Sequence, residues 1–271
     1  MKQTVPIRTF WYADKLVMPL PIGIITTLNS DGLVNAAPYS LIAPYDVSGR
    51  RPQMMMALRR RSHTFKNILA TKEFVVNFPR ADQYEQINEV FRFYPEGVNE
   101  LDYTEYTTID SQKVAVPSIK ECPQQIECRL AEHTEIGKSQ GIVIGDIVEI
   151  VMDSELVELG RGERIEKLNL PVYLGDEKRR VFFYGSLPDS TAFDIDPVPR
   201  EQEDINYQTR LSWDPKAIEG LEQVPDFVRQ IVVDTIEDAA KEEGFDRVDY
   251  DLFLKLLKQY APPDVLERFL S

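Results

Sequence analysis

The sequence predicts a mainly β protein: an antiparallel barrel with a few short helices, followed by a small all-α region. Up to about residue 188, runs of strand-forming residues recur with few helical segments between them. Beyond about residue 211, apolar residues recur at helical spacing instead. Many strands with few helical connections are typical of an antiparallel barrel and not of a parallel α/β sheet.

Length and composition are those of a globular protein. The chain has 271 residues, enough for one or two domains, and 43% of them are hydrophobic. No apolar run reaches membrane-spanning length, and the first residues lack the apolar segment of a signal peptide. Only Cys122 and Cys128 are present, too few for a disulfide framework, and they are expected to be small buried thiols. We therefore expect a cytoplasmic protein with no membrane partner.

Charge is unevenly distributed along the chain. Residues 189–271 contain 20 acidic and nine basic residues, and this region carries most of the formal net charge of -14. The asymmetry predicts two domains with different surfaces, 1–188 and 212–271, joined by an acidic and Pro-rich linker at 189–211. An acidic C-terminal region is unsuited to nucleic acid, which is not expected as a partner.

The predicted β region has two helices among its strands. The strands are expected at 22–28, 34–42, 53–58, 73–78, 124–132, 141–152 and 181–184. The turn sequence 29–32 joins the first two as a hairpin, and Gly145 inside the longest run predicts a bulge or a sharp bend. One helix is expected at 62–70, capped by Ser62 or Thr64, and another at 84–91.

Three helices are predicted in the C-terminal region. A short one opens at Trp213-Asp214-Pro215, with Asp214 as the cap and Pro215 in the first turn. A longer helix at 226–243 has an apolar stripe and ends before Gly244, where a C-terminal glycine is favoured. A third, at 249–260, is stopped by Pro262-Pro263.

Two segments of the β region predict one binding site for an aromatic ligand that carries a phosphate. Small and polar residues on the second strand would let a flat ligand approach the backbone, with two threonines on the neighbouring strand beside them. These residues are Asn35, Ala36, Ala37, Pro38, Tyr39 and Ser40, with Thr26 and Thr27. Cations and hydroxyls at a predicted helix start would hold a dianion. These residues are Arg59, Arg60, Arg61, Ser62, His63 and Thr64. The alternative is that the arginines form a solvated face and the small residues end a strand.

The sequence favours neither a metal site nor a side-chain catalyst. His63 and His133 are the only histidines, and no cluster of Cys or Asp accompanies either of them. His63 has a surface or capping role as the alternative to a ligand contact. No Ser/His/Asp set or carboxylate pair stands out, and the glycine-rich nucleotide-binding fingerprints are absent.

Several motifs resemble the flavin reductase-like family. They are Pro-Ile-Gly-Ile-Ile-Thr-Thr, Asp-Gly-Leu-Val-Asn-Ala-Ala-Pro-Tyr-Ser, Arg-Ser-His-Thr-Phe-Lys-Asn-Ile and Glu-Phe-Val-Val-Asn. Segments 122–130 and 143–148 also match, so the resemblance covers about 19–184. It implies the FMN-binding split β-barrel with Greek-key topology, FMN rather than FAD at a homodimer interface, and NAD(P)H as the frequent reductant.

The resemblance also assigns site residues. Asn35, Ala37 and Ser40 would contact the isoalloxazine side of FMN. Arg60, Ser62, Thr64 and Asn67 would surround its phosphate. Many family members have Lys-Asp-Thr where this chain has Ser62-His63-Thr64, so a flanking arginine would have to replace the lysine.

The C-terminal region resembles the small helical domain at the end of the light-independent protochlorophyllide reductase B subunit. The similarity rests on a pattern that starts at Trp213 and includes Val224-Pro225 and Gly244, and it covers about 212–260. In those relatives the domain accompanies a large redox enzyme, so the resemblance suggests a redox setting by association.

Together these features predict an FMN-binding oxidoreductase of the flavin reductase-like type, with NAD(P)H as its reductant. The flavin would carry the hydride chemistry, so no side chain need act as an acid or a base. Two alternatives stay open. One is a non-catalytic, flavin-carrying module that docks to a redox partner through its helical tail. The other is an oxygen-using flavoenzyme that acts on an organic substrate.

Overall fold

The computed structural model describes residues 2–4, 18–47, 51–137, 139–177, 180–184, 207–224 and 226–260. It divides into two compact units. The barrel unit comprises Met1–Tyr45 and Gln53–Phe193, and the helical unit comprises Asp46–Pro52 and Asp194–Ser271. The predicted boundary at residue 188 and most of the predicted linker lie outside the described residues, so the domain limits stay a prediction.

The described part of the barrel unit consists mainly of strands. They are β1 (Leu20–Pro21), β2 (Gly23–Leu28), β3 (Val34–Tyr39), β4 (Ile42–Pro44), β5 (Gln53–Arg59), β6 (Glu73–Phe78), β7 (Thr108–Ile109), β8 (Ser118–Ile119), β9 (Gln124–Ile136), β10 (Gln140–Met152), β11 (Val172–Glu177) and β12 (Arg180–Tyr184). The helices are α1 (His63–Thr71), α2 (Tyr84–Val90), α3 (Ser154–Val157) and α4 (Arg161–Leu168), with 3-10 helices at Ala81–Gln83 and Glu100–Tyr103.

Seven strands form one antiparallel sheet in the order β3-β2-β6-β9-β10-β5-β4. β3 and β4 are at opposite edges of this sheet, yet only Ser40 and Leu41 separate them along the chain. Three peptide steps reach at most about 11 Å, whereas seven flat strands would spread over about 29 Å. The sheet is therefore curled until its two edges approach each other, which confirms the predicted split barrel. The strand predicted as one run at 34–42 is divided at this crossing.

The inner face of the curled sheet and helix α1 form one hydrophobic core. Phe65 and Ile68 of α1 pack there with Ile25, Met56 and Phe74. A Cβ added at Gly141 would lie 2.5 Å from the Phe65 ring, so this glycine lets α1 settle against β10. The β9–β10 register shifts between Ile144 and Gly145, which confirms the bulge predicted there.

The opposite face of the sheet is covered by α2, the second 3-10 helix and the segment that follows it. Ile24 and Ala36 pack there against Leu101, Tyr106 and Cys122. Both cysteines are buried and free, as predicted. They belong to different layers, since Cys128 packs in the inner core. Burial raises the pKa of both thiols, so they are poor nucleophiles.

The described part of the helical unit has three helices around its own core. The helices are α5 (Pro215–Glu222), α6 (Asp226–Glu242) and α7 (Tyr250–Tyr260), and β13 (Ser212–Trp213) pairs with β14 (Arg247–Val248) in parallel. The predicted cap of α5 is wrong in one respect: the Asp214 carboxylate makes no capping bond and pairs with Arg247 instead. Leu211, at the end of the predicted linker, packs against this core.

The buried Glu237 organises the start of the described helical unit. Its carboxylate accepts the backbone N–H groups of Arg210 and Leu211 and the indole N–H of Trp213, at 2.8 to 2.9 Å. Four donors, counting the Arg210 guanidinium at 3.0 Å, therefore compensate the burial of one charge.

Within the described ranges, no helix combines the length and the apolar character needed to cross a bilayer.

Candidate functional site

The small-residue strand of the predicted site is β3, which pairs with β2 and lies at the edge of the sheet formed by the described strands. Asn29 shapes the connecting turn, since its side-chain oxygen accepts the N–H groups of Asp31 and Leu33 at 2.9 and 2.8 Å. Gly32 completes the turn with a φ of 79°. Pro38 is tolerated in β3 because an edge strand has one side with no partner to receive an N–H group.

Helix α1 begins beside this strand. Ser62 is its N-cap: the hydroxyl accepts the N–H of Phe65 at 3.2 Å and donates to the carbonyl of Arg59 at 2.7 Å. The N–H groups of His63 and Thr64 have no intrahelical acceptor, because they belong to the first turn. The helix dipole adds positive potential at the same place. The predicted choice between Ser62 and Thr64 as the cap is resolved in favour of Ser62.

A network of side-chain hydrogen bonds joins α1 to the β2–β3 hairpin. The amide nitrogen of Asn35 donates to the Thr64 hydroxyl at 3.2 Å, and that of Asn67 donates to the Thr27 hydroxyl at 3.1 Å. Tyr39 lies near the start of α1, since the side chains of Ser62 and Thr64 both influence the pKa of its phenol. The structure thus brings residues of both predicted segments together in one polar site (Thr27, Asn35, Tyr39, Ser62, Thr64 and Asn67), which we name the polar network.

The two asparagines of the polar network each have an unused hydrogen-bond acceptor, the side-chain oxygen. Asn35 and Asn67 are only 6% and 8% exposed. Each gives its amide nitrogen to a threonine, and among the described residues no hydrogen bond reaches the side-chain oxygen of either one. An amide oxygen has two lone pairs, so these two oxygens can accept hydrogen bonds from a bound molecule.

Burial raises the pKa of the Tyr39 phenol, while hydrogen bonds from Ser62 and Thr64 and the nearby charge of Arg59 act in the opposite direction. Tyr39 therefore stays neutral near pH 7 and can donate or accept a hydrogen bond. Its interaction with Arg59 also places that guanidinium close to the polar network.

Strand alternation separates three predicted site residues from the polar network. Thr26 pairs with Ala36, Thr27 pairs with Asn35, and Ile24 pairs with Pro38. Successive residues face opposite sides of a sheet, so the side chains of Thr26, Ala36 and Pro38 lie on the outer face. The Thr26 hydroxyl accordingly donates to the carbonyl of Pro117 at 2.7 Å. Ala37, Pro38 and Ser40 are half-buried.

The three arginines do not act as one group. Arg60 forms an ion pair with Glu135, and its backbone N–H bonds to the carbonyl of Ser139 at 3.0 Å, which ties it to the β9–β10 hairpin. Arg59 and Arg61 are exposed. Arg59 and Arg61 are therefore better placed than Arg60 to meet an anion from solution.

One site residue was missed by the sequence analysis. Glu100 is 5% exposed, and its carboxylate accepts the backbone N–H of Ala36 at 2.7 Å. His63 lies within electrostatic reach of it and is half-buried. Glu100 carries no local signal in the sequence, because only the fold brings it to β3.

The donor set of the site suits an organic anion better than a metal. Hydroxyls, amides, helix N–H groups and guanidinium groups bind phosphate and ring edges. Among the described residues, no group of three or more His, Cys, Asp or Glu could hold a metal ion.

Comparisons with known proteins place the barrel unit in a family. The chain is 33% identical over 164 residues to the uncharacterized protein YwrF of Bacillus subtilis, covering 57% of this chain and 78% of YwrF. Its fold is similar to nitrilotriacetate monooxygenase component B from Bacillus cereus (TM-score 0.62, 22% identity, 72% of this chain and 100% of that one). It is also similar to an FMN-binding protein from Thermus thermophilus (TM-score 0.55, 14% identity, 72% and 98%).

The family model described as flavin reductase like domain matches residues 15–166, which is more than half of the chain. The match ends before residue 194, where the C-terminal part of the helical unit begins, so the resemblance predicted for 212–260 stays a prediction. The chain belongs to the flavin reductase like family.

Proposed function

We propose that the protein binds FMN in the polar network and works as an oxidoreductase with NAD(P)H as the reductant. The observation that carries this proposal is the pair of side-chain oxygens of Asn35 and Asn67, which accept no hydrogen bond from the described residues and belong to the polar network at the start of α1. A flavin has matching groups: N–H and hydroxyl donors along its ring edge and ribityl chain, and a phosphate at the end. Membership of the flavin reductase like family supports the same ligand.

The residues at the start of α1 would hold the phosphate. The N–H groups of the first turn, the Ser62 and Thr64 hydroxyls and the exposed Arg59 and Arg61 all favour an anion there. The oxygens of Asn35 and Asn67 would accept from donors of the ligand, while the half-buried backbone at Ala37 and Ser40 would lie along its ring.

The chemistry of the reaction would come from the cofactor, since bound FMN supplies hydride and single-electron transfer. The chain's own residues would bind the flavin, orient it and shield it from solvent. Tyr39, kept neutral by its surroundings, would present a hydroxyl without adding charge.

Fluorescence titration with FMN tests the proposal. The full chain should quench FMN fluorescence at micromolar ligand. Thr64→Val removes the hydroxyl that holds Asn35, so we expect about tenfold weaker binding, close to 1.4 kcal/mol. Thr71→Val is the matched control on the same helix, since Thr71 is the last residue of α1 and its hydroxyl donates to the backbone carbonyls of Asn67 and Glu73. Equal affinity for FMN in all three proteins would contradict the proposed site.

We also propose that two copies of the chain associate around the flavin. Three large apolar side chains near β3 and β4 support this: Leu33, Leu41 and Tyr45 are 48%, 44% and 57% exposed. Apolar surface of this kind often marks an interface. Sedimentation analysis should give a dimer, and Leu41→Asp should shift it toward the monomer. A wild-type monomer at all concentrations would rule out this arrangement.

A second candidate function is a flavin carrier that meets a redox partner through its helical unit. The acidic charge of residues 189–271 favours it, because a basic partner surface would be complementary. NAD(P)H oxidation in the presence of FMN separates the two candidates. Turnover supports the reductase, and tight FMN binding without turnover supports the carrier.

A further inference from the structure

Glu100 differs from the other acidic residues around it. The segment from α2 to the 3-10 helix is rich in carboxylates, and Glu96, Asp102 and Glu105 are exposed to solvent as expected for charged groups. Glu100 is almost completely buried. Its side chain lies against the edge of β3, where it accepts the N–H of Ala36.

Protection of the strand edge does not by itself require a charged residue. The Ala36 N–H points away from β2, and a neutral amide oxygen would accept it without the cost of burying a charge. Burial does raise the pKa of Glu100, and the Ala36 N–H, the residue's own backbone N–H and the charge of His63 counteract that rise. A carboxylate at this position therefore costs folding energy that a glutamine would save.

The location of Glu100 connects the two halves of the candidate site. One oxygen holds the backbone of the small-residue strand, and the carboxylate is within electrostatic reach of His63, which is the first residue of α1 and directly follows the Ser62 cap. A charge on this buried side chain acts on a molecule bound beside β3 and the start of α1, because little solvent is present around it to screen the charge.

We propose that Glu100 is a positioning residue that fixes β3 for the flavin ring and whose negative charge disfavours the more electron-rich, reduced FMN. This inference rests on the proposed flavin function. It predicts that the bound flavin is a stronger reductant than it would be without this charge. The reduced flavin would thereby have a larger driving force for electron transfer to an acceptor.

The test compares Glu100→Gln and Glu100→Ala in the full chain, with affinities measured for oxidised and for reduced FMN at a pH above the window in which Glu100 titrates, so that its carboxyl is ionised. Glutamine keeps an acceptor for the Ala36 N–H and removes the charge. We expect oxidised FMN to bind Glu100→Gln within about threefold of wild type. We expect reduced FMN to bind about tenfold more tightly, which raises the midpoint potential by about 30 mV for a two-electron couple. Glu100→Ala frees the Ala36 N–H and should weaken binding of both forms about tenfold.

Glu127→Gln is the matched control. Glu127 is also fully buried and accepts two backbone N–H groups, from Gln112 and Lys113, at 2.7 Å each. It lies on β9, three strand positions from β3, or about 14 Å across the sheet. The midpoint potential should be unchanged in this variant.

The outcomes separate the inference from the function on which it rests. If wild type binds FMN but Glu100→Gln leaves the potential unchanged, or shifts it no more than Glu127→Gln does, the inference is wrong and the proposed function stands. If Glu100→Ala binds both forms as wild type does, the positioning role is wrong. If wild type binds no FMN, both proposals fail.

Discussion

At the scale of single residues, the candidate site is a set of polar side chains that mostly hydrogen bond to one another. Residue type and family resemblance singled out Ser62, Thr64 and Asn67, because hydroxyls and amides near a helix start are a local pattern, and singled out Asn35 because it stands among small residues on one strand. Glu100 could not be predicted in this way. It is 64 residues from Ala36 in the chain, and only the folded structure makes the two neighbours.

The Ser62 hydroxyl has a structural and a binding role that can be measured separately. Ser62→Ala removes the N-cap of α1 and should lower the free energy of unfolding by about 1 kcal/mol in urea titrations. It should also weaken binding of FMN more than binding of riboflavin, because only FMN has the phosphate. Unchanged stability together with equal losses for both ligands would show that Ser62 neither caps the helix nor meets the phosphate.

The raised pKa of Glu100 makes stability depend on pH. The folded protein holds this proton more tightly than the unfolded chain does, where the ordinary value is 4.5. The stabilising effect is present below that value and is lost as the pH rises through the folded pKa. Glu100→Gln has no such loss, so its stability advantage over wild type should grow as the pH rises through this window and then level off.

Urea unfolding of the protein without ligand, from about pH 4 to about pH 8, measures this difference. A constant difference between Glu100→Gln and wild type across the range would mean that the carboxyl titrates as it would in water.

At the scale of elements, the alternation of side chains between the two faces of β2 and β3 decides which of the predicted site residues can contact one another. Sequence pattern predicted the strands, the α1 helix and the bulge at Gly145. It did not divide strand 34–42, because residues on both sides of Ser40 have the same strand-forming character and only closure of the curled sheet separates β3 from β4. Nor did it predict the ion pair of Arg60 with Glu135, since this contact depends on the β9–β10 hairpin.

The contact between Gly141 and Phe65 should control the position of α1. Gly141→Ala forces a Cβ to within 2.5 Å of the Phe65 ring, so we expect a loss of about 1–3 kcal/mol in stability and weaker FMN binding as α1 moves. Gly160→Ala is the control. Its φ is -60°, and the nearest neighbour of an added Cβ is 3.6 Å away, so the loss should be limited to the roughly 0.5 kcal/mol that alanine costs at the N-cap of a helix. Equal stability of the two variants would mean that α1 does not depend on this glycine.

At the scale of the whole molecule, the chain combines a family barrel with a helical unit that has a core of its own. The sequence predicted both classes of structure from a change in apolar spacing and in charge. The burial of Glu237 was not predicted, because nothing in the sequence distinguishes it from the other acidic residues of its helix. Its contacts with Trp213 and the backbone of Arg210 form only in the folded unit.

Glu237 should make the helical unit sensitive to acid. Burial alone would raise its pKa, but hydrogen bonds from Leu211, Trp213 and Arg210 outweigh this and lower it. Its stabilising effect is therefore present above the ordinary value of 4.5 and is lost as the pH falls through the lowered folded pKa. Glu237→Gln should cost the unit about 3 kcal/mol at neutral pH.

Thermal unfolding followed by Trp213 fluorescence, in a chain whose other tryptophan is replaced by phenylalanine, reports this loss. FMN affinity serves as the readout for the barrel unit and should not change. A variant as stable as wild type at neutral pH would show that the carboxylate is not needed.

The central claim is that the polar network between β3 and α1 receives FMN with its phosphate at the start of α1. Calorimetric titration of the wild-type chain with FMN and with riboflavin tests it most directly. We predict that both bind and that FMN binds at least about tenfold more tightly, a difference of about 1.4 kcal/mol from the phosphate. Equal affinities, or no heat of binding for either ligand at micromolar concentrations, would contradict the account.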